Sequence, residues 1–181
     1  KPGRYNRSFG GLLGALIFTV LLVGAFVVFR GTFSKDLQVE PEAVDYLETV
    51  QAIQDGGLEV VYPPTLPDGW IATNVAFVPG ESPEFGLSML TDSGTFVGLR
   101  QADSSVETLL ESFVDEETTA EDPLEVDSSI ATTWDGYSDA GGDLAYAAGL
   151  GEDAVLVFGS ASQEDLRSLI ELLTTDPIPG S

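Results

Sequence analysis

The chain of 181 residues contains no cysteine and no histidine, a single methionine, and only seven basic residues against 30 acidic ones. Each shortage removes a class of function. Without cysteine there is no disulfide, zinc thiolate, lipidated cysteine or thiol nucleophile. Without histidine the Ser-His-Asp and Cys-His constellations cannot be built, and zinc, copper and haem sites of the usual nitrogen or sulfur ligation are missing as well. Met89 falls in a strand candidate and reads as core. Gly141-Gly142 and the Gly149–Gly151 stretch lack the following lysine and helix of a phosphate-cradling loop. No cofactor is expected.

The few basic residues are unevenly placed. Lys1, Arg4, Arg7, Arg30 and Lys35 all precede residue 36, and no acidic residue does. Residues 36–181 then set all 30 acidic residues against Arg100 and Arg167, a formal charge of −28. Such a surface repels phosphate backbones, which sets nucleic acid aside as a partner, and it holds the domain away from an anionic lipid surface. Two readings of the acidity stay open: solubility, or a docking face for a basic protein partner or for cations.

The longest uncharged run, Phe9 to Phe29, holds 21 residues, enough at ~1.5 Å per residue to cross the ~30 Å hydrocarbon core. Arg4 and Arg7 flank it on one side and Arg30 and Lys35 on the other, with Tyr5 at an interfacial position. Its end, Val28-Phe29-Arg30-Gly31, is a poor cleavage site, so an uncleaved single-pass anchor is expected rather than a signal peptide. Three basic residues before the run against two after it favour a cytoplasmic N-terminus and an extracytoplasmic C-terminal domain in the cell membrane. Gly10, Gly14 and the offset pair Gly11 and Ala15 place small residues four apart, a spacing that permits close packing of a partner membrane helix. The expected organisation is a cytoplasmic N-terminus at 1–8, a transmembrane helix at 9–29, a juxtamembrane linker and short helix at 30–57, an α+β domain at 58–173 and a flexible tail at 174–181.

Within the soluble part, Val44, Leu47, Val50 and Ile53 suit a short amphipathic helix over Pro41–Gln54. Leu58–Tyr62, Trp70–Val78, Phe85–Thr91 and Thr95–Gln101 read as strands, the last two forming a hairpin across Asp92-Ser93-Gly94. A helix follows from Ser105 to Val114, and Asp115–Asp122 reads as an acidic loop. Ile130–Trp134, Leu144–Ala148 and Ala154–Phe158 are further strands, before a helix at Gln163–Leu173 capped by Ser162 with Asp165 three residues on. The fold class is α+β: an antiparallel-sheet α/β sandwich with its helices on one side. An offset of 57 residues lays Leu99 on Leu156, Ser105 on Ser162 and Leu109 on Leu166, which suggests two pseudo-repeated βββα units.

Chemistry is sparse. Asp135, Asp139 and Asp143 lie within a glycine-rich stretch and offer the oxygen ligands of a weak calcium candidate, although the EF-hand spacing is not met; a polar hairpin loop is the alternative. Trp70 and Trp134, with Phe77, Phe96 and Phe158, read as core or as a shallow aromatic groove. With no catalytic constellation, the protein is expected not to be an enzyme.

The lead-in Arg4-Tyr5-Asn6-Arg7, Val44-Asp45-Tyr46, Leu66-Pro67-Asp68-Gly69-Trp70, Gly94-Thr95-Phe96-Val97-Gly98-Leu99-Arg100-Gln101 and Val157-Phe158-Gly159-Ser160-Ala161 run in an order and spacing that resembles the actinobacterial membrane-anchored DUF4245 family. Phe85 stands where the resemblance leads one to expect tryptophan. The likeness implies an envelope location and transfers no catalytic residue. The expectation is a non-catalytic accessory or scaffold subunit of an envelope membrane complex, an actinobacterial respiratory supercomplex being one candidate host. A free-standing ligand- or cation-binding module is the alternative, and a carboxylate-dependent hydrolase a more remote one.

Overall fold

Three helices and seven strands form in the computed structural model, which describes residues 42–178. The expected anchor at 9–29, its Gly10, Gly11, Gly14 and Ala15 stripe, and the cytoplasmic segment 1–8 lie outside the described residues. Among those described, no helix is long and apolar enough to cross a membrane.

Helix α1 spans Tyr46–Asp55 and starts later than its apolar periodicity suggests, because Asp45 serves as N-cap, its side chain accepting from the Leu47 amide at 3.1 Å. Tyr46, Val50 and Ile53 of α1 are buried in the main core, so this helix belongs to the domain rather than to a linker. Strands β1 (Ile71–Val78), β2 (Glu84–Leu90) and β3 (Phe96–Ala102) form a meander, followed by helix α2 (Val106–Phe113) with Ser105 as N-cap. Then come β4 (Thr119–Glu125), β5 (Thr133–Ser138), β6 (Leu144–Leu150), β7 (Asp153–Gly159) and helix α3 (Gln163–Leu172). The sheet runs β1-β2-β3-β7-β6-β5-β4, antiparallel throughout.

Two meanders thus meet at the β3–β7 pair in the centre. Strand pairing lays Val75, Leu87, Leu99, Val157 and Tyr146 in one row, all on the face that carries the main core beneath α1 and α3. The next row, Gly86, Arg100, Leu156 and Ala147, faces the other way, toward α2. The helices therefore cover both faces, not one. The reason is visible in β7: Ala154 to Gly159 are all buried, and a strand buried on both sides needs a layer on each.

This arrangement also limits the pseudo-repeat. Leu99 pairs with Val157, while its 57-residue match Leu156 points to the opposite face, and the two helices that the offset superposes pack on opposite sides. The expected acidic loop is partly a strand: Thr119–Glu125 pairs with β5, and it escapes notice because only Leu124 is buried, leaving no alternation to read. Conversely, Leu58–Tyr62 is not a strand of the sheet. Its Val60, Val61 and Tyr62 are buried, and Tyr62 forms an isolated bridge to Thr174. The segment after α3 is tied down accordingly. Tyr62 Oη donates to the Asp176 carbonyl at 2.8 Å, and the Ile178 amide donates to Gln54 Oε1 at 3.0 Å.

Candidate functional site

The clearest concavity lies where the ends of β1, β2, β3 and β7 meet the C-terminal end of α1. It is a cleft of about 210 Å³. Leu58, Phe77, Pro83 and Phe85 form its apolar walls, and Glu59 and Asp153 also line it. Gln101 lies at its base. It occupies the core-facing position after Val97 and Leu99 on β3, where strand alternation calls for an apolar residue, and only 5% of it is exposed.

Its amide is fully employed. Oε1 accepts from the Val61 amide at 2.7 Å, and Nε2 donates to the Glu59 carbonyl at 3.2 Å and to Asp153 Oδ2 at 2.6 Å. A buried amide group without such partners would cost roughly 1–3 kcal/mol. Gln101 thereby holds residues 59–61 against the sheet and fixes Asp153 beside them, which shapes one wall of the cleft. No signal of periodicity marks this role; a polar residue interrupting an apolar alternation is the one hint the sequence carries.

On the opposite face Arg100 takes an unusual position. Its guanidinium lies 4.7 Å from the Phe113 ring centre and 5.8 Å from that of Phe158, stacking α2 onto the sheet through cation–π contact. Nη1 donates to the Leu87 carbonyl at 3.3 Å and the Leu99 carbonyl at 2.8 Å. Burial depresses its pKa, yet an arginine stays charged at neutral pH. The geometry depends on two glycines. A side chain at Gly86 would bring Cβ within 2.9 Å of Nη1, and one at Gly98 would meet the Phe158 ring at 2.6 Å. Phe96 closes the cluster edge-on to Phe158, with centroids 5.9 Å apart.

The aromatic residues are thus dispersed rather than gathered into a groove. Trp134 is wholly buried and donates Nε1–H to the Ala131 carbonyl at 3.0 Å, and Trp70 is core as well. Phe77 alone of the five reaches the cleft. The calcium candidates fare similarly. Asp135 sits on β5 paired with Ala147, whereas Asp139 closes the β5–β6 turn by accepting the Asp143 amide at 2.8 Å. Among the described residues no three acidic side chains are grouped so as to hold a metal ion.

The acidic charge is almost uncompensated. Residues 42–178 set 28 acidic residues against two arginines, a formal charge of −26. Among the described residues one ion pair forms, Arg167 to Glu171 at 3.4 Å on the surface of α3. Arg100, turned toward aromatic rings, neutralises none of the remaining carboxylates by direct contact.

A family model described as "Protein of unknown function (DUF4245)" matches residues 4–173, nearly the whole chain. The chain belongs to the DUF4245 family. No curated protein and no solved structure matches it. The chemical means of this DUF4245 domain are those of its own surface: a carboxylate-rich exterior, an apolar cleft with two acidic residues, and a cation reserved for packing.

Proposed function

We propose that this DUF4245 protein is a non-catalytic accessory subunit of an envelope membrane complex. In this reading residues 9–29 tether it with the N-terminus in the cytoplasm, and the acidic domain faces outward to dock a basic protein surface. The observation that carries the reading is the formal charge of −26 on residues 42–178, with a single described ion pair to offset it. Charge of one sign held on a rigid scaffold steers an oppositely charged partner and discriminates against like-charged ones. The anchor's Gly10 and Gly14 supply a second contact in the bilayer, where small residues let helices approach. An actinobacterial respiratory supercomplex is one host of this kind.

The test is purification of the full chain, tagged at its C-terminus, in mild detergent. Co-elution with a membrane protein at low salt, and release of that protein when salt is raised to about 0.5 M, is the expected result, since screening shortens to a few ångströms there. Recovery as a lone monomer at low salt would overturn it. Protease added to intact cells should remove the acidic domain; full protection would reverse the topology.

A further inference from the structure

The two edges of the sheet are guarded very differently. At one edge β4 carries Glu121, Asp122, Pro123 and Glu125, with an irregular register between Glu121 and Leu124. Charge, proline and bulges are the devices that stop an exposed edge from pairing with another strand. At the other edge β1 reads Ile-Ala-Thr-Asn-Val-Ala-Phe-Val, eight residues with neither a charge nor a proline in a domain crowded with both, and its one irregularity of register falls between Ala72 and Asn74, ahead of the stretch from Asn74 to Val78. Among the described residues its outer side is occupied only at the start, where the Val44 amide donates to the Ala72 carbonyl at 2.9 Å. Beyond that point Asn74, Ala76 and Val78 are exposed, Val78 by 56%.

The open end of β1 adjoins the cleft. Phe77 lines it, and Leu58 at its mouth is 40% exposed, while the next residue, Val78, exposes its side chain on the opposite face of the sheet, in the row of Glu84 and Ala102. At about 210 Å³ the cleft is smaller than the roughly 300–1,000 Å³ typical of small-molecule sites, and closer to the size of a single large side chain. Glu59 and Asp153 stand at the same place, and neither forms an ion pair among the described residues.

We propose that the outer edge of β1 from Asn74 to Val78, with the cleft beside Phe77, is a strand-addition site for an extended segment of a partner protein in which apolar residues alternate with lysine or arginine. The inference rests on the docking function proposed above and names where and how the partner engages. An added strand satisfies the free backbone groups of the edge and sends alternate side chains to opposite faces, so one apolar side chain enters the cleft while its cationic neighbours lie on the other face, where the exposed Glu84 pairs with Val78. Charge decides between a foreign partner and a second copy. Edge-to-edge pairing of two such domains would bring two surfaces of charge −26 together, whereas a basic segment relieves that repulsion.

The experiment uses the full chain in nanodiscs and three labelled peptides: one alternating lysine with valine and leucine, one of equal charge interrupted by central prolines, and one alternating glutamate with the same apolar residues. Fluorescence anisotropy should show the alternating lysine peptide binding at least tenfold tighter than the proline control, with the glutamate peptide unbound. Amide hydrogen exchange should slow at residues 74–78. The double variant Leu58→Ser and Val78→Ser, which alters exposed positions and no charge, should lose at least tenfold in affinity for the alternating peptide and none for the control. Equal binding of the two lysine peptides, with no protection of 74–78, would overturn strand addition and leave the electrostatic docking function standing. Failure of both lysine peptides to bind at low salt would remove both proposals. Self-association that protects 74–78 without peptide would assign the edge to a second copy and overturn the proposal.

Discussion

Gln101 and Tyr46 show how single polar groups hold the apolar parts of this domain in place. Gln101 joins the sheet to residues 59–61 through three hydrogen bonds, so Gln101→Leu strands the buried Val61 amide. The expected loss is about 1–3 kcal/mol in urea unfolding, with faster exchange at Val61 as the local sign. Tyr46 donates its hydroxyl to the Pro63 carbonyl at 2.7 Å, and burial, with Tyr62 and Asp45 nearby, pushes its pKa from the ordinary 10.0 to about 12. The folded state therefore keeps this proton longer than the unfolded chain does. Its contribution is complete below pH 10 and is lost as pH rises toward 12. Tyr46→Phe should be less stable than the parent near pH 7 by about 1 kcal/mol, and the gap should narrow between pH 10 and 12. Urea midpoints across that range measure it.

At the scale of elements, the starts of α2 and α3 are the best-specified features. Ser162 accepts the Asp165 amide at 3.2 Å while Asp165 Oδ2 accepts the Ser162 amide at 3.2 Å, a reciprocal capping box that the Ser-x-x-Asp spacing announces in the sequence. Ser162→Ala should cost about 1 kcal/mol, read from the thermal midpoint. Leu166, Leu169 and Ile170 then place α3 over the main core. Strand β4 is the counter-case. Its backbone pairing with β5 holds it, and an exposed edge with one buried residue has almost no pattern for the chain to display. β5 shows a related slip: the apolar Ile130 and Ala131 mark the approach to the strand, while the strand itself begins at Thr133.

For the whole molecule, net charge matters most. A domain carrying −26 with one surface ion pair among the described residues repels itself, and salt screens that repulsion. Raising sodium chloride from about 0.05 to 0.5 M should raise Tm by roughly 4 °C. A flat or falling Tm would mean that the carboxylates are already spaced widely enough to ignore one another. The same excess of charge sets the uncharged β1 edge apart: at this scale it is the part of the surface least protected from a cationic strand.

The sequence by itself determined the local elements and the exclusions. The cap of α3, the β2–β3 hairpin, the strands other than β4 and the charge asymmetry depend on residues close together in the chain, and missing cysteine and histidine exclude chemistry whatever the fold. The order Leu66-Pro67-Asp68-Gly69-Trp70 and its companions also sufficed for membership of the DUF4245 family. Only the tertiary structure decided which face each helix covers, because β3 and β7, far apart in the chain, meet at the centre and leave two apolar faces to be covered. It alone brought Gln101 to Val61 and Asp153, turned Arg100 toward Phe113 instead of an acidic side chain, and left β1 rather than β4 as the unguarded edge. These are contacts between distant segments, and no local pattern of polarity encodes which strand lies at the rim.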